Sequence, residues 1–251
     1  MDEIVAALVE QQSELLGLLA GLDEAGWQRP SRCEGWTVAD VVLHVAQTNE
    51  MAVASADGRF ADYLTEVGRE VGPATSVDDG AALMVAAQRG GPGAAVGARY
   101  KASADQLRDL LAASDPHVRV EWVAGQLSAR TLATTRLAET WIHTGDVAEA
   151  LDVELVPAPR LRHIARLAWR TIPYAFTRTG RKLHGPVAFR LRGPSGEAWD
   201  FEPDEEPLTT IRGDGVELCL VAGRRVDPAK TSLTGEGPDV DAVLELVRTY
   251  A

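Results

Sequence analysis

Apolar residues recur at helical spacing through the first three-fifths of the chain and then give way to strand-like alternation. This switch of period limits the possible folds more than any other feature of the sequence. Residues 2–22 place Ile4, Leu8, Leu15, Leu18, Leu19 and Leu22 on one stripe, closed by Gly21 and Gly26, which predicts a first long helix. A second should start at Thr37, an N-cap with Asp40 three residues on, and run through VVLHVA to about Ser55. Residues 57–78 are rich in Gly, Asp and Ser and read as a loop. AALMVAAQ resumes a helical pattern that RGGPGA at 89–94 interrupts, and AVGARYKASADQLRDLLAA supplies a third long helix. Ser128 can cap a fourth, which ends near Leu151.

After DVELVPAP the pattern changes. RLRHIARLAWRTIPYAF reads as one more helix, and PVAFRLRG and EAWDFEP alternate as strands joined by a turn of Pro194, Ser195 and Gly196. LTTIRG suggests another strand, GVELCLVAG a helix and DVDAVLELVRTY a final helix. The fold class predicted is α+β, with a helical bundle in residues 1–153 and a smaller α/β domain in residues 154–251. A chain of 251 residues, 45% hydrophobic, can bury a core for such an arrangement. Its formal net charge of −12 argues against a nucleic-acid backbone or an anionic membrane surface as partner. The two cysteines, Cys33 and Cys219, are too few for a disulfide framework or a thiolate cluster; they read as small core hydrophobes in a reducing cytoplasm. The N-terminus carries acids and no basic flank, so it reads as an amphipathic helix and not a signal peptide. No stretch approaches the roughly 18 uninterrupted apolar residues of a membrane span.

Within the fourth helical run, RLAETWIHTGDVAEAL sets three ionisable residues among alanines and leucines. Glu139 and His143 are four apart, so a helix projects them from one face. An oxygen and an imidazole nitrogen held by one helix suit zinc or a similar first-row ion. His44, inside DVVLHVAQ on the second helix, is the candidate third ligand, and three protein ligands leave a position for water or substrate. Asp146, one turn past His143, can orient that imidazole or touch ligand directly. The competing reading is equally simple: His44 as a satisfied core histidine, the Glu139 and His143 pair as chance, and Asp146 as a polar position near a helix end.

CEGWTVADVVLHV and RLAETWIHTGDVAEAL resemble the two signature stretches of the mycothiol-dependent maleylpyruvate isomerase family, part of the wider superfamily of DinB-like metal-binding bundles. The resemblance covers essentially the whole chain and points to a largely uncharacterised actinobacterial subgroup. It implies an up-and-down four-helix bundle with a metal inside, held by His44, Glu139 and His143, and a second domain completing the site. It further implies zinc as the ion, and mycothiol as thiol cosubstrate in an isomerase or S-transferase acting on a small electrophile. A basic residue of the family's second domain binds an anionic substrate; here AGRRVDP offers Arg224 or Arg225, whose alternative task is to neutralise the carbonyls at a helix end. Trp36 is expected to pack the start of the second helix, and EPDEEP at 202–207 to be a solvated hairpin edge. The chain closes soon after LELVRTYA, so no longer tail is expected at the site. Two other functions stay open: a metal-dependent hydrolase or Lewis-acid enzyme with Asp146 as base and no thiol, or a non-catalytic metal-containing ligand-binding module. A cytoplasmic monomer or homodimer with a small-molecule substrate is the expectation in each case.

Overall fold

The switch in period falls where the backbone divides. The structure, a computed structural model that describes residues 1–249, forms two compact units, one spanning Met1–Leu155 and the other beginning at Val156. The first contains α1 (Asp2–Leu19), α2 (Glu24–Trp27), α3 (Val38–Ala56), α4 (Phe60–Val71), α5 (Val77–Gln88), α6 (Gly93–Ala113), the short paired strands β1 (Arg119–Val120) and β2 (Leu127–Ser128), and α7 (Ala129–Ala150). A four-helix bundle followed by an α/β part is thus the architecture of the chain.

The long helices α1, α3, α6 and α7 form the bundle, α3 packing on α6 and α7 and α1 on the same two. One core cluster joins Leu15 and Leu19 late in α1, Val38, Val41, Val42 and Val45 early in α3, Tyr100 and Ala104 in the first half of α6, and Val147 and Ala150 late in α7. Helices α1 and α7 therefore run toward that end and α3 and α6 away from it. The excursion through α4 and α5 returns the chain to the end where α3 began, and there Arg89 bonds the Gly35 carbonyl at 3.1 Å and pairs with the Asp40 carboxylate. Side chains such as Leu8, Leu107, Leu132 and Leu137 are fully buried, each contributing about 1.5–3 kcal/mol by leaving water. The start of α3 is fixed by the capping box expected from the sequence: Asp40 N–H donates to Thr37 Oγ1 at 3.3 Å, and Thr37 N–H to Asp40 Oδ2 at 2.9 Å. Ser128 likewise caps α7 by accepting from the Thr131 N–H.

The second unit contains α8 (Leu161–Arg170), α9 (Ile172–Thr179), β3 (Val187–Arg192), β4 (Ala198–Phe201), β5 (Thr209–Asp214), α10 (Gly215–Ala222), β6 (Thr234–Glu236) and α11 (Val240–Leu246). Its sheet has the order β4-β3-β5-β6, with β3 and β5 parallel and the other pairs antiparallel. Trp199, Phe189, Phe201 and Ile211 are buried in this unit with Leu161 and Ile164 of α8.

Three expectations need correction. Residues 57–78 are not a loop throughout, because Phe60, Tyr63, Leu64, Val67 and Val71 form a helical stripe that builds α4 despite the surrounding Gly, Asp and Ser. The single helix expected over RLRHIARLAWRTIPYAF is two, interrupted at Thr171: Pro173 lacks an N–H and sits in the first turn of α9. The three-residue edge strand β6 was not expected, its glycine-containing TGE showing no strand pattern. Glu202, Asp204, Glu205 and Glu206 are exposed, as expected of that acidic run.

Gly93 opens α6 against the indole of Trp27, where an added Cβ would lie 2.0 Å from Cγ. Gly93→Ala is expected to lower stability by about 1–3 kcal/mol through overpacking, read as a lower denaturant midpoint. Gly17→Ala in α1, where nothing lies within 4 Å, should raise it by about 0.5–1 kcal/mol.

Candidate metal centre

The donors come from two antiparallel helices of the bundle. Val41, Val42 and Val45 of α3, and Leu137 and Val147 of α7, bury one face of each helix, and that register carries His44 toward Glu139 and His143. His44 Nε2 lies 2.8 Å from Glu139 Oε1, and His143 Nε2 lies 3.5 Å from the same oxygen. One ligand atom from each of the three residues falls within 4.8 Å of the others. Both histidines are 8% exposed, and their rings meet edge to face with centroids 4.8 Å apart. Trp36, half-buried, packs on the apolar cluster as expected, and its ring also lies 5.2 Å from that of His44.

Asp146 is 1% exposed and its Oδ2 lies 2.9 Å from His143 Nδ1. An ionised carboxylate only accepts, so His143 Nδ1 donates its proton to Asp146, and Nε2 is left as the ring atom that faces Glu139 and His44 and the one that would give its lone pair to an ion. The same Oδ2 accepts from the Cys33 thiol at 3.4 Å, while Arg32 Nε stands 3.8 Å from Oδ1. Cys33 is therefore more than the core hydrophobe expected: half-buried on the connection into α3, it packs against the apolar cluster, and with His143 and Asp146 it makes a second close group of three donor atoms. Cys219 is buried, and burial pushes its thiol well above the ordinary range.

Burial disfavours every charge in this interior, and the partners decide which charges persist. In Glu139 it is outweighed by the hydrogen bonds from His143 and His44, which hold the carboxyl well below the usual carboxylate range. In His143 the bonds to Asp146, Cys33 and Glu139 outweigh burial and raise the pKa well above the ordinary imidazole value. For His44 burial prevails over the bond to Glu139 and lowers it.

The donor set fits a divalent first-row ion. Two imidazole nitrogens and a carboxylate oxygen face one another at separations close to those imposed by bonds of roughly 2 Å to a shared ion, and one imidazole has its far nitrogen fixed by a carboxylate. Arg224 and Arg225, the other expected site residues, belong to the second unit. Arg224, at φ 59°, bonds the Glu245 carbonyl at 2.8 Å, and Arg225 the carbonyl of Gly223 at the end of α10 at 3.0 Å. These contacts satisfy helix-end carbonyls, the alternative task seen for them in the sequence.

Fold and site define an α+β protein whose helical unit carries a largely buried three-donor cluster. Residues 8–148 match the family described as the mycothiol maleylpyruvate isomerase N-terminal domain, and the chain belongs to it. Uncharacterised proteins from two strains of Mycobacterium tuberculosis are each 30% identical over 250 residues, 98% of this chain and 95% of theirs. Crystal structures of the mycothiol-dependent maleylpyruvate isomerase and of a mutant of it share the fold, each with a TM-score of 0.59 over 95% of both chains, at 16% and 18% identity. Among the described residues no helix is long and apolar enough to cross a membrane.

Asp146→Asn keeps the shape of the side chain but weakens its hold on the imidazole N–H. Zinc affinity, measured by competition with a chromophoric chelator, is expected to fall about 10–100-fold; an unchanged affinity would remove Asp146 from the site's support.

Proposed function

We propose that the chain is a divalent-metal-dependent enzyme that uses mycothiol as thiol cosubstrate to isomerise, or to transfer the thiol to, a small electrophile. The observation that carries this reading is the convergence of the buried His44 and His143 on the half-buried Glu139 in a member of this family. These three residues would hold the ion, for which zinc is the best match to two imidazoles and one carboxylate. Bound there, a divalent cation would favour the thiolate form of a coordinated thiol, which is otherwise largely protonated at neutral pH.

The protein's own groups have separate tasks in this reading. Asp146 is a positioning residue that holds the His143 ring through Nδ1 and is itself held by the Cys33 thiol. Trp36 walls one side of His44 and limits water around it. Hydrolysis with Asp146 as base is the weaker reading, because its Oδ2 already accepts from two donors and the residue is 1% exposed.

His44→Ala, Glu139→Ala and His143→Ala are each expected to lose stoichiometric zinc while the wild type retains one equivalent; equal zinc content in all four would remove the ligand assignment. Calorimetric titration of zinc-loaded wild type with reduced mycothiol should give saturable binding, absent with its disulfide and with cysteine. No binding at full zinc occupancy would sink the thiol reading and favour the water-activating one.

A further inference from the structure

The excursion through α4 and α5 encloses space of its own. Between it and the helices α3 and α6 lies a cavity of about 180 Å³, more than the roughly 150 Å³ that admits a benzene-sized ligand in an engineered core. Every residue lining it belongs to α3, α4, α5 or α6 and none to α7, so it is distinct from the cluster around Glu139. Gln47 of α3, 1% exposed, forms part of its inner wall. The Gln47 Nε2 donates to the Met84 carbonyl at 2.8 Å and to Gln88 Oε1 at 3.1 Å. A carbonyl can only accept, so the amide is held in this orientation and Gln47 Oε1 is left buried with no donor. The phenol of Tyr63 does not supply one: burial pushes it up to about 12, so it keeps its proton, which it donates to the Gln47 backbone carbonyl at 3.3 Å.

The charges around the cavity do not balance either. Arg99 binds Glu50 through Nε and Nη2, both at 2.7 Å, and gives Nη1 to Gln88 Oε1 at 2.8 Å. Glu66 and Glu70, exposed at the rim, have no cation within ion-pair distance among the described residues; Glu70 only accepts from Gln88 Nε2 at 2.9 Å. Val67, Val71 and Met84 add an apolar wall. A metal ion is a poor match, because none of these side chains belongs to the groups of donors that converge closely enough to share one. The cavity lacks a positive charge, an N–H for Gln47 Oε1 and a short hydrocarbon body, and a small organic ammonium has all three. We propose that the cavity binds a small primary amine in its ammonium form, which donates to Gln47 Oε1 within the field of the Glu66 and Glu70 carboxylates and lays its carbon stem on Val67, Val71 and Met84. An acidic rim by itself is ordinary solvated surface; the buried acceptor of Gln47 is what calls for a donor. This site goes beyond the thiol and metal reading and does not rest on it.

The test is a titration of the isotope-labelled full chain with n-butylammonium chloride at constant ionic strength, followed by the NMR shifts of its backbone amides. Saturable shifts confined to the stretches of α3 to α6 around the cavity are expected. Butyltrimethylammonium, which has the charge and no N–H, and n-butanol, which has a donor and no charge, should each bind about tenfold or more weaker. Glu66→Gln combined with Glu70→Gln keeps the shape of the exposed rim and should weaken n-butylammonium about tenfold. Gln47→Met should weaken it similarly and leave butyltrimethylammonium unchanged; because Gln47→Met also removes the bond to Met84, the quaternary ion and the exposed double variant decide the matter if it fails to fold. Equal affinity for the primary and quaternary ions, unchanged affinity in the double variant, or shifts that scatter over the surface and never saturate would each overturn the proposal. Zinc content should be the same in every folded variant, and the same amine binding in a protein that takes up no zinc would sustain this site while removing the metal reading.

Discussion

Taking charge out of water is the most expensive thing this bundle does, and its interior is arranged around that cost. His44, His143 and Asp146 are buried, and Glu139 half-buried, between α3 and α7, where an isolated carboxylate or imidazolium would not remain charged. Each is stabilised by another: Glu139 bridges the two histidines, and Asp146 holds the far side of one. The valines of α3 and the leucines around them set the distance between the helices, so apolar packing decides whether the polar groups meet. Packing and polar chemistry are therefore one constraint here, since a bundle shifted by one helical turn would leave several charges unpaired.

The capping of α3 belongs to the same constraint. Thr37 and Asp40 fix where that helix begins, and Arg89, returning from α5, ties the excursion to the same carboxylate. Beginning α3 elsewhere would rotate His44 off the seam by about 100° per residue. The connection before α3 also brings Cys33 to Asp146 and Trp36 to His44, so a few residues of irregular backbone supply much of the cluster's surroundings.

Much of this was legible in the sequence because it follows from local periodicity. The stripes of the long helices, the Thr37 and Ser128 caps, and the i to i+4 relation of Glu139 and His143 all act within a turn or two. What escaped depends on distant packing or on a balance that composition obscures. The loop-like residues around α4 masked the stripe from Phe60 to Val71, and Pro173 was outweighed by the strong apolar pattern on both sides of it. Cys33 looks like any small apolar residue until Asp146 is placed beside it, 113 positions away.

His44 and Glu139, which meet in the cluster, are 95 positions apart in the chain. No short fragment contains the cluster, and no partly made chain can assemble it until α7 has been synthesised and laid against α3. Ion capture at this place would thus follow closure of the bundle and could not guide its first steps, in contrast to small modules whose ligands sit a few residues apart and whose metal nucleates the fold. An ion bound by these donors would therefore be the last part added, entering a bundle whose fold is already complete.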